Sequence, residues 1–183
     1  FSSLRLLVLV LLVAVSASAC GRYSIGNMAA SMAFKEGNAA YGKADFVNAS
    51  KAYEEAIQHN PDFGIVYFFL ANSYDNMYKP GRKGDPDNDV NLTKAVENYN
   101  KAITIIKDDE PSGAQIRKLS YEYLIAAYGP DKLNDFAQAE PIGKRLMEME
   151  PNEPGNYQTM GKLYEDQGRY EEVRPESMGT ASL

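Results

Sequence analysis

Cys20 is the only cysteine of the chain, and it follows a long apolar segment near the N-terminus. A single thiol cannot form a disulfide within the chain, and an exposed free thiol is reactive in an oxidising compartment. Residues 6–15 read LLVLVLLVAV. As a helix they would span about 15 Å, half of a bilayer core of about 30 Å, which is typical of a secretory signal rather than a spanning helix. Cys20 is therefore a candidate attachment point.

The residues around Cys20 are compatible with two kinds of processing. Ala17 and Ala19 are small, as a signal-peptidase site requires, so one interpretation is ordinary cleavage after Ala19. Ser18, Ala19 and Cys20 also resemble the bacterial lipoprotein signal, and because Cys20 is the only cysteine we favour this second interpretation. The resemblance implies cleavage before Cys20 and a diacylglyceryl thioether on its sulfur. It also implies an outer-membrane location, because Gly21 stands where Asp tends to retain lipoproteins in the inner membrane.

Three aspartates in the segment KPGRKGDPDNDV have a spacing that is known from calcium sites. Asp85, Asp87 and Asp89 follow the D-x-D-x-D pattern of an EF-hand loop, whose carboxylates bind Ca²⁺. That loop next requires Gly and then Glu at its twelfth position, where this chain has Val90 and Val96. We therefore expect a polar turn whose last acidic residues cap the next helix, with a calcium site as the alternative.

Few other residues could support catalysis. His59 is the only histidine, and its place late in a helical stretch beside Asn60 and Pro61 indicates a solvated helix-end residue. The chain has no Ser/His/Asp set, no metal-ligand spacing and no Gly-rich phosphate loop. Its net charge of −6, which becomes −7 when Arg5 is removed with residues 1–19, argues against nucleic-acid binding. We predict no enzyme, no cofactor, no bound metal and no small-molecule substrate.

Four stretches of the chain share one spacing of apolar and small residues. Steps of three, four and seven residues place the members of each stretch on one helix face, and in three of the four stretches a small residue, Gly37, Ala71 or Gly161, lets a second helix approach closely. The four sets are Ala33, Glu36, Gly37 and Ala40; Tyr67, Leu70, Ala71 and Tyr74; Tyr121, Leu124, Ile125 and Tyr128; and Tyr157, Met160, Gly161 and Tyr164. This recurrence predicts four similar helices.

A second amphipathic helix follows each of the first three stretches. Ala49, Ala95 and Ala139 lie at corresponding positions on the apolar faces of these second helices, where we expect the paired helices to cross. Asp45 and Asp135 precede two of them and are suited to cap their N-termini.

These paired helices resemble the tetratricopeptide repeat (TPR), a helix-turn-helix unit of 34 residues. Residues 37–61, GNAAYGKADFVNASKAYEEAIQHNP, carry the strongest match, and Tyr usually replaces the family's Trp. Ala49 and Ala95 are 46 positions apart and Ala95 and Ala139 are 44 apart, so the repeat of 34 is extended by insertions of 12 and 10. The resemblance implies an all-α, TPR-type helix-turn-helix solenoid with about three complete repeats and a partial fourth.

We predict the following organisation of the chain. Residues 1–19 form a signal peptide, 20–29 a lipidated linker, 30–173 the TPR domain and 174–183 an irregular tail. Within the domain the repeats span 30–63, 64–107 with an insertion at 79–90, 110–151, and 152–173 for the partial repeat. Pro175 should end the last helix near Val173, and no apolar stripe follows, although solenoids need a terminal cap. Together with Phe1 in place of Met, this favours a gene fragment over a natural truncation that a partner covers.

The resemblance also implies a binding surface, because the first helix of each TPR pair lines a concave groove where family members usually bind peptides. The positions that correspond to the groove are Phe34, Asn38 and Tyr41 in the first repeat and Ile65, Phe68, Asn72 and Asp75 in the second. Residues 65–70 are apolar all round, so Phe34 and Phe68 could instead be packing residues. Asn38 and Asn72 are similar to the asparagines of chaperone-binding carboxylate clamps, but Phe34 stands where a clamp lysine would be, which argues against that partner class.

The sequence thus predicts a lipid-anchored adaptor in the bacterial cell envelope that faces the periplasm and binds a protein or peptide in its groove. Relatives of this architecture include lipoproteins that help to assemble outer-membrane barrels and pilus secretins, so we expect a role of that type. The alternatives are a secreted or soluble periplasmic protein, a metal-responsive or enzyme-like periplasmic protein that uses the Asp-rich insertion 79–90, and a truncated gene fragment.

Overall fold

The computed structural model describes residues 25–107, 112–169 and 171, and these residues form α-helices and no strand. Cys20, the predicted signal peptide and the predicted tail lie outside the described residues. In chain order the helices are α1 (Ile25–Tyr41), α2 (Phe46–His59), α3 (Gly64–Met77), α4 (Pro86–Ile105), α5 (Gly113–Tyr128), α6 (Phe136–Met149) and α7 (Pro154–Asp166), with a short 3-10 helix at Pro80–Arg82. The predicted all-α class is confirmed for this part of the chain.

The chain divides into two compact units, Phe1–Phe63 and Gly64–Leu183. In the described part of the first unit, α1 and α2 pack against each other as a helical hairpin. Their contact is made by small residues: a Cβ built on Gly37 would lie 2.4 Å from the Tyr53 ring, and Ala49 is completely buried. Asp45 caps α2 as predicted, because its carboxylate accepts a hydrogen bond from the backbone N–H of Asn48.

α1 begins at Ile25, inside the predicted linker 20–29. No described helix of the chain is long and apolar enough to cross a membrane.

In the described part of the second unit, helices that follow one another in the chain also pack on one another, and α3 additionally contacts α5. Ala95 and Ala139 are completely buried, as expected where helices cross. Asp135 caps α6 by accepting a hydrogen bond from the N–H of Gln138. Each cap satisfies a backbone donor that the first turn of a helix leaves unpaired.

α6 contains Pro141 in its interior, a position where proline disfavours a helix. Proline removes one backbone hydrogen bond, yet the helix continues to Met149. Pro141 itself is exposed, while Ala139, Gly143 and Leu146 on the other side are buried. A Cβ built on Gly143 would lie 2.0 Å from Sδ of Met160, so the absence of a side chain there permits close packing of α6 and α7.

Candidate functional site

The three predicted groove positions of the first unit lie beside aromatic residues of that unit. The Phe34 ring is half-buried, with its centroid 5.8 Å from that of Tyr53 and 5.3 Å from that of Phe63. Asn38 is exposed, and its Oδ1 accepts a hydrogen bond of 2.8 Å from the Tyr53 hydroxyl. Tyr41 is half-buried and contacts Phe46 edge to face. Burial raises the pKa of the Tyr53 phenol, which keeps it protonated as a donor to Asn38.

Two predicted groove positions of α3 are buried in the second unit. Phe68 is only 6 % exposed, and its ring centroid lies 6.0 Å from those of Tyr99 and Tyr123. Asn72 is 5 % exposed, and its amide donates a hydrogen bond of 3.1 Å to the Phe68 carbonyl of its own helix. Ile65 beside them is half-buried. This burial favours the packing role that the sequence left open for Phe68.

Asp75 is engaged in an ion pair that the sequence did not predict. Its carboxylate lies 2.5 Å from Nζ of Lys132 in the α5–α6 turn, and both side chains are less than one-fifth exposed. Phe68 and Asp75 are seven residues apart and share a helix face. That face is therefore directed toward Tyr123 of α5 and Lys132. Peptide binding by these positions stays a prediction.

The Asp-rich insertion forms a turn that is held by its own hydrogen bonds. Asp85 caps α4 by accepting from the N–H of Asp87, and it also pairs with Arg82, whose hydrogen bond holds the pKa of Asp85 below its usual range. Asn88 is buried, accepts from Lys79 N–H at 2.7 Å and donates to the Lys79 carbonyl at 3.1 Å. The cap is thus Asp85, the first of the three aspartates, whereas Asp87 and Asp89, the last acidic residues of the turn, lie in the first turn of α4. Nowhere in residues 25–107 and 112–169 do three or more His, Cys, Asp or Glu side chains form a group that could hold a metal ion.

The second unit contains a cleft between α5 and α7, which we call the α5–α7 cleft. It consists of two adjoining cavities of about 270 and 310 Å³ that share Ile125 and Thr159. The first is also lined by Ala126, Gly129, Pro130, Asp131, Lys162, Leu163 and Asp166, and the second by Lys118, Glu122, Leu146, Glu153, Gly155 and Asn156. α5 and α7 are the first helices of their predicted repeats, so the cleft lies on the side that the TPR resemblance assigns to the groove.

The α5–α7 cleft has an apolar floor. Ile125, Leu163 and Leu146 are each less than one-tenth exposed and belong to one core cluster of the unit. Asn156 is also buried, and its amide donates a hydrogen bond of 3.1 Å to the Leu146 carbonyl. The floor is thus fixed by packing and hydrogen bonding. Such preformed apolar cavities with a few polar groups at the edge are typical of binding sites.

The rim of the cleft is charged, and acidic groups outnumber basic ones. Lys118 lies 2.5 Å from the carboxylate of Glu150 and 3.9 Å from that of Glu122, and the hydrogen bond with Glu150 raises the pKa of Lys118. Lys162 on α7 is exposed. The four acidic residues that line the two cavities are Glu122, Asp131, Glu153 and Asp166, so with the two lysines the lining carries a formal charge of −2.

Sequence reasoning named no residue of this cleft as a binding position, although a signal was present. Asn38 and Asn72 each follow the small residue of their repeat by one position. The same offset in the third and fourth repeats gives Ala126 and Lys162, and both line the cleft. The chemistry of Lys162 and the small size of Ala126 differ from those of asparagine, so a search for repeated asparagines misses them.

Comparisons with known proteins bear on the fold. No family model and no curated protein sequence matches this chain. Among solved structures, it is similar to the first TPR of Spaghetti (RPAP3) bound to the HSP90 peptide SRMEEVD, with a TM-score of 0.55 and 15 % identity over 78 % of this chain and 98 % of that one. The crystal structure of MamA protein aligns with a TM-score of 0.34 and 18 % identity over 79 % and 86 % of the two chains. The first similarity confirms the TPR-type fold.

Proposed function

We propose that this chain of TPR-type fold is a non-enzymatic adaptor that binds a peptide segment of a protein partner in the α5–α7 cleft. The observation that carries the proposal is a fixed apolar floor, formed by Ile125 and Leu163, beneath an exposed charged rim. An apolar anchor in a cavity supplies affinity, and polar groups around it fix the orientation of the ligand. The similar Spaghetti domain was solved with a peptide bound, which supports peptide binding by analogy of fold.

The charges of the rim favour one kind of peptide. Lys118 is already paired with Glu150, so Lys162 is the rim lysine that remains exposed beside Asp131 and Asp166. A peptide that places an apolar side chain on the floor and a Lys or Arg beside it would meet opposite charges at the rim, whereas an acidic peptide would meet like charges. We therefore expect basic residues to flank the apolar anchor.

A displayed library of random peptides tests the cleft as a binding site. Ala126 is exposed and lines the cleft, so Ala126→Arg should fill it with little effect on folding, because Ala and Arg are both good helix formers. We expect peptides selected on the wild-type chain to bind this variant at least about fivefold more weakly, since loss of an anchor contact typically costs more than 1 kcal/mol. Ala39→Arg, which changes an exposed alanine of α1, is the matched control and should bind normally.

Two results of this experiment would contradict the proposal. A wild-type chain that selects no peptide has no peptide-binding activity. Peptides that bind Ala126→Arg as tightly as the wild-type chain occupy another surface. Circular dichroism melts of both variants establish that a loss of binding is not a loss of folding.

We further propose that Cys20 carries the acyl chains that hold the adaptor in the bacterial cell envelope, at the outer membrane, where it takes part in the assembly of membrane proteins or pili. Support comes from the sequence alone, in the small residues and the apolar segment before Cys20. Cys20→Ser expressed in a bacterial host should lose incorporation of a palmitate analogue. Labelling that persists in this variant, or none in the wild-type chain, would refute the anchor.

A further inference from the structure

α1 carries apolar side chains on two opposite sides. On one side Ala30, Ala33 and Gly37 are buried. On the other side Ile25, Met28 and Met32 are 87 %, 62 % and 69 % exposed, and they are the three most exposed large hydrophobic residues in the described part of the chain. Steps of three and four residues place these three on one face, which we call the α1 stripe. Exposed apolar side chains gathered on one face mark an interaction surface.

The charges around the α1 stripe differ in sign from those of the remaining chain. Residues 1–35 contain Arg5, Arg22 and Lys35 and no acidic residue, so they carry a charge of +3, which becomes +2 when residues 1–19 are removed; Glu36 is the first acidic residue of the chain. The whole chain carries −6, which leaves −9 for residues 36–183. Arg22 and Lys35 flank the stripe at three positions from either end. An apolar face with basic flanks is the pattern of a helix that lies in the interface of an anionic membrane.

We infer that the α1 stripe lies in the surface of an anionic lipid bilayer, with Ile25, Met28 and Met32 in contact with acyl chains and Lys35 near the headgroups. The buried side of α1 packs on α2, so this contact requires no unfolding of the hairpin. Three side chains cover only two turns of helix. The stripe alone therefore binds the membrane reversibly and orients the first unit on it, and permanent attachment needs a second signal.

The proposed acyl anchor would be that second signal, and to this extent the inference rests on the proposed function. Cys20 precedes Ile25 by five residues, which span at most about 18 Å when extended. An acylated Cys20 would hold the stripe within reach of the headgroups. The apolar and charge patterns themselves do not depend on acylation.

Site-specific fluorescence quenching tests this inference on the full chain. Cys20→Ser removes the only cysteine, so one new thiol can be labelled in each variant. Met28→Cys and Met32→Cys place the label on the α1 stripe. Ser31→Cys is a control on the same helix, exposed but rotated by about 100° from Met32. Val47→Cys is a control on an exposed apolar residue of α2. Residues 1–19 are present in all four variants, so any membrane contact that they make is shared.

The probes are vesicles of phosphatidylcholine with or without phosphatidylglycerol, a nitroxide-labelled lipid and aqueous iodide. With phosphatidylglycerol present, we expect nitroxide lipid to quench the labels at Met28 and Met32 several-fold more than those at Ser31 and Val47. Aqueous iodide should quench the two stripe labels when vesicles are absent, and it should not quench them when vesicles are present. Replacement of both stripe methionines by Asp in a chain labelled at Val47 should lower the fraction that binds these vesicles.

Equal quenching of all four labels, or quenching of none, would overturn the inference. Protection of the stripe labels from iodide without vesicles would also overturn it. In that case a dependence on protein concentration would indicate a second copy of the chain, and no dependence would indicate another segment of the same chain. Because these variants lack Cys20, failure of the acylation experiment would refute the anchor and leave this measurement unaffected.

Discussion

Gly37→Ala should destabilise the first unit, although alanine is the better helix former. A Cβ at this position would lie 2.4 Å from Cε1 and 2.6 Å from Cδ1 of Tyr53. The Tyr53 ring cannot easily retreat, because it is completely buried and its hydroxyl is bonded to Asn38. Overpacking typically costs about 1–3 kcal/mol, and replacing Gly by Ala within a helix returns about 1 kcal/mol. We expect a net loss of up to about 2 kcal/mol in the free energy of unfolding.

Hydrogen exchange measured by mass spectrometry gives a local assay for this loss. Peptides within residues 30–59 should exchange faster, by about tenfold for each 1.4 kcal/mol lost. Gly143→Ala is the matched comparison, because its Cβ would meet Sδ of Met160, which is equally buried but has a flexible, unbranched side chain that adapts more easily than a ring, so its effect should be smaller. In a Tyr53→Ala background the ring is absent, so Gly37→Ala should slow hydrogen exchange, because alanine is the better helix former. Unchanged or slower exchange for Gly37→Ala alone would refute the close contact.

Three further changes test the packing of the second unit. Ala95→Leu should lower the melting temperature, because overpacking at this completely buried position costs about 1–3 kcal/mol, and an unchanged melt would contradict the predicted helix register. The Lys144 hydrogen bond lowers the pKa of Glu140, so Glu140 stabilises the fold above the unfolded-state pKa and loses this effect as pH falls through the lowered value. Melts of Glu140→Gln should therefore differ from those of the wild-type chain at pH 7, and this difference should shrink as the pH falls below the ordinary Glu pKa of about 4.3. An equal difference at pH 7 and at low pH would argue against the ion pair. Phe68→Ala should lower the free energy of unfolding by about 3–5 kcal/mol, because it removes a buried aromatic side chain. Weaker peptide capture with an unchanged melting temperature would instead indicate that Phe68 is a binding position.

The features that could be predicted from the sequence depend on short-range interactions. Asp45 and Asp135 cap helices through bonds to N–H groups three positions away, so their neighbours in the chain suffice to identify them. Ala49, Ala95 and Ala139 are buried at corresponding places because the repeat imposes the same crossing each time. Such positions can be predicted from their spacing, because the paired helices of each repeat pack in the same way.

The features that could not be predicted depend on residues far apart in the chain. Nothing near Asp75 indicates that Lys132, 57 positions later, pairs with it. The burial of Phe68 likewise depends on Tyr123 of α5, which no spacing within α3 reveals. Pro141 is a case in which local preference alone is misleading. Proline disfavours a helix interior, but burial of the opposite face of α6 outweighs the lost hydrogen bond.

The position of the cleft follows from the size of the side chains at equivalent places of α3 and α5. Where α3 has Asn72 and Asp75, α5 has Ala126 and Gly129, and these two line the cavity of about 270 Å³ beside Lys162. The same helix register thus gives a filled surface on α3 and an open one on α5. The double change Ala126→Asn with Gly129→Asp should therefore reduce peptide binding while the chain stays folded, since Ala126 is exposed and Gly129 has a negative φ of −64° that other residues adopt. Unchanged binding by a folded double variant would mean that open space on α5 does not determine where the peptide lies.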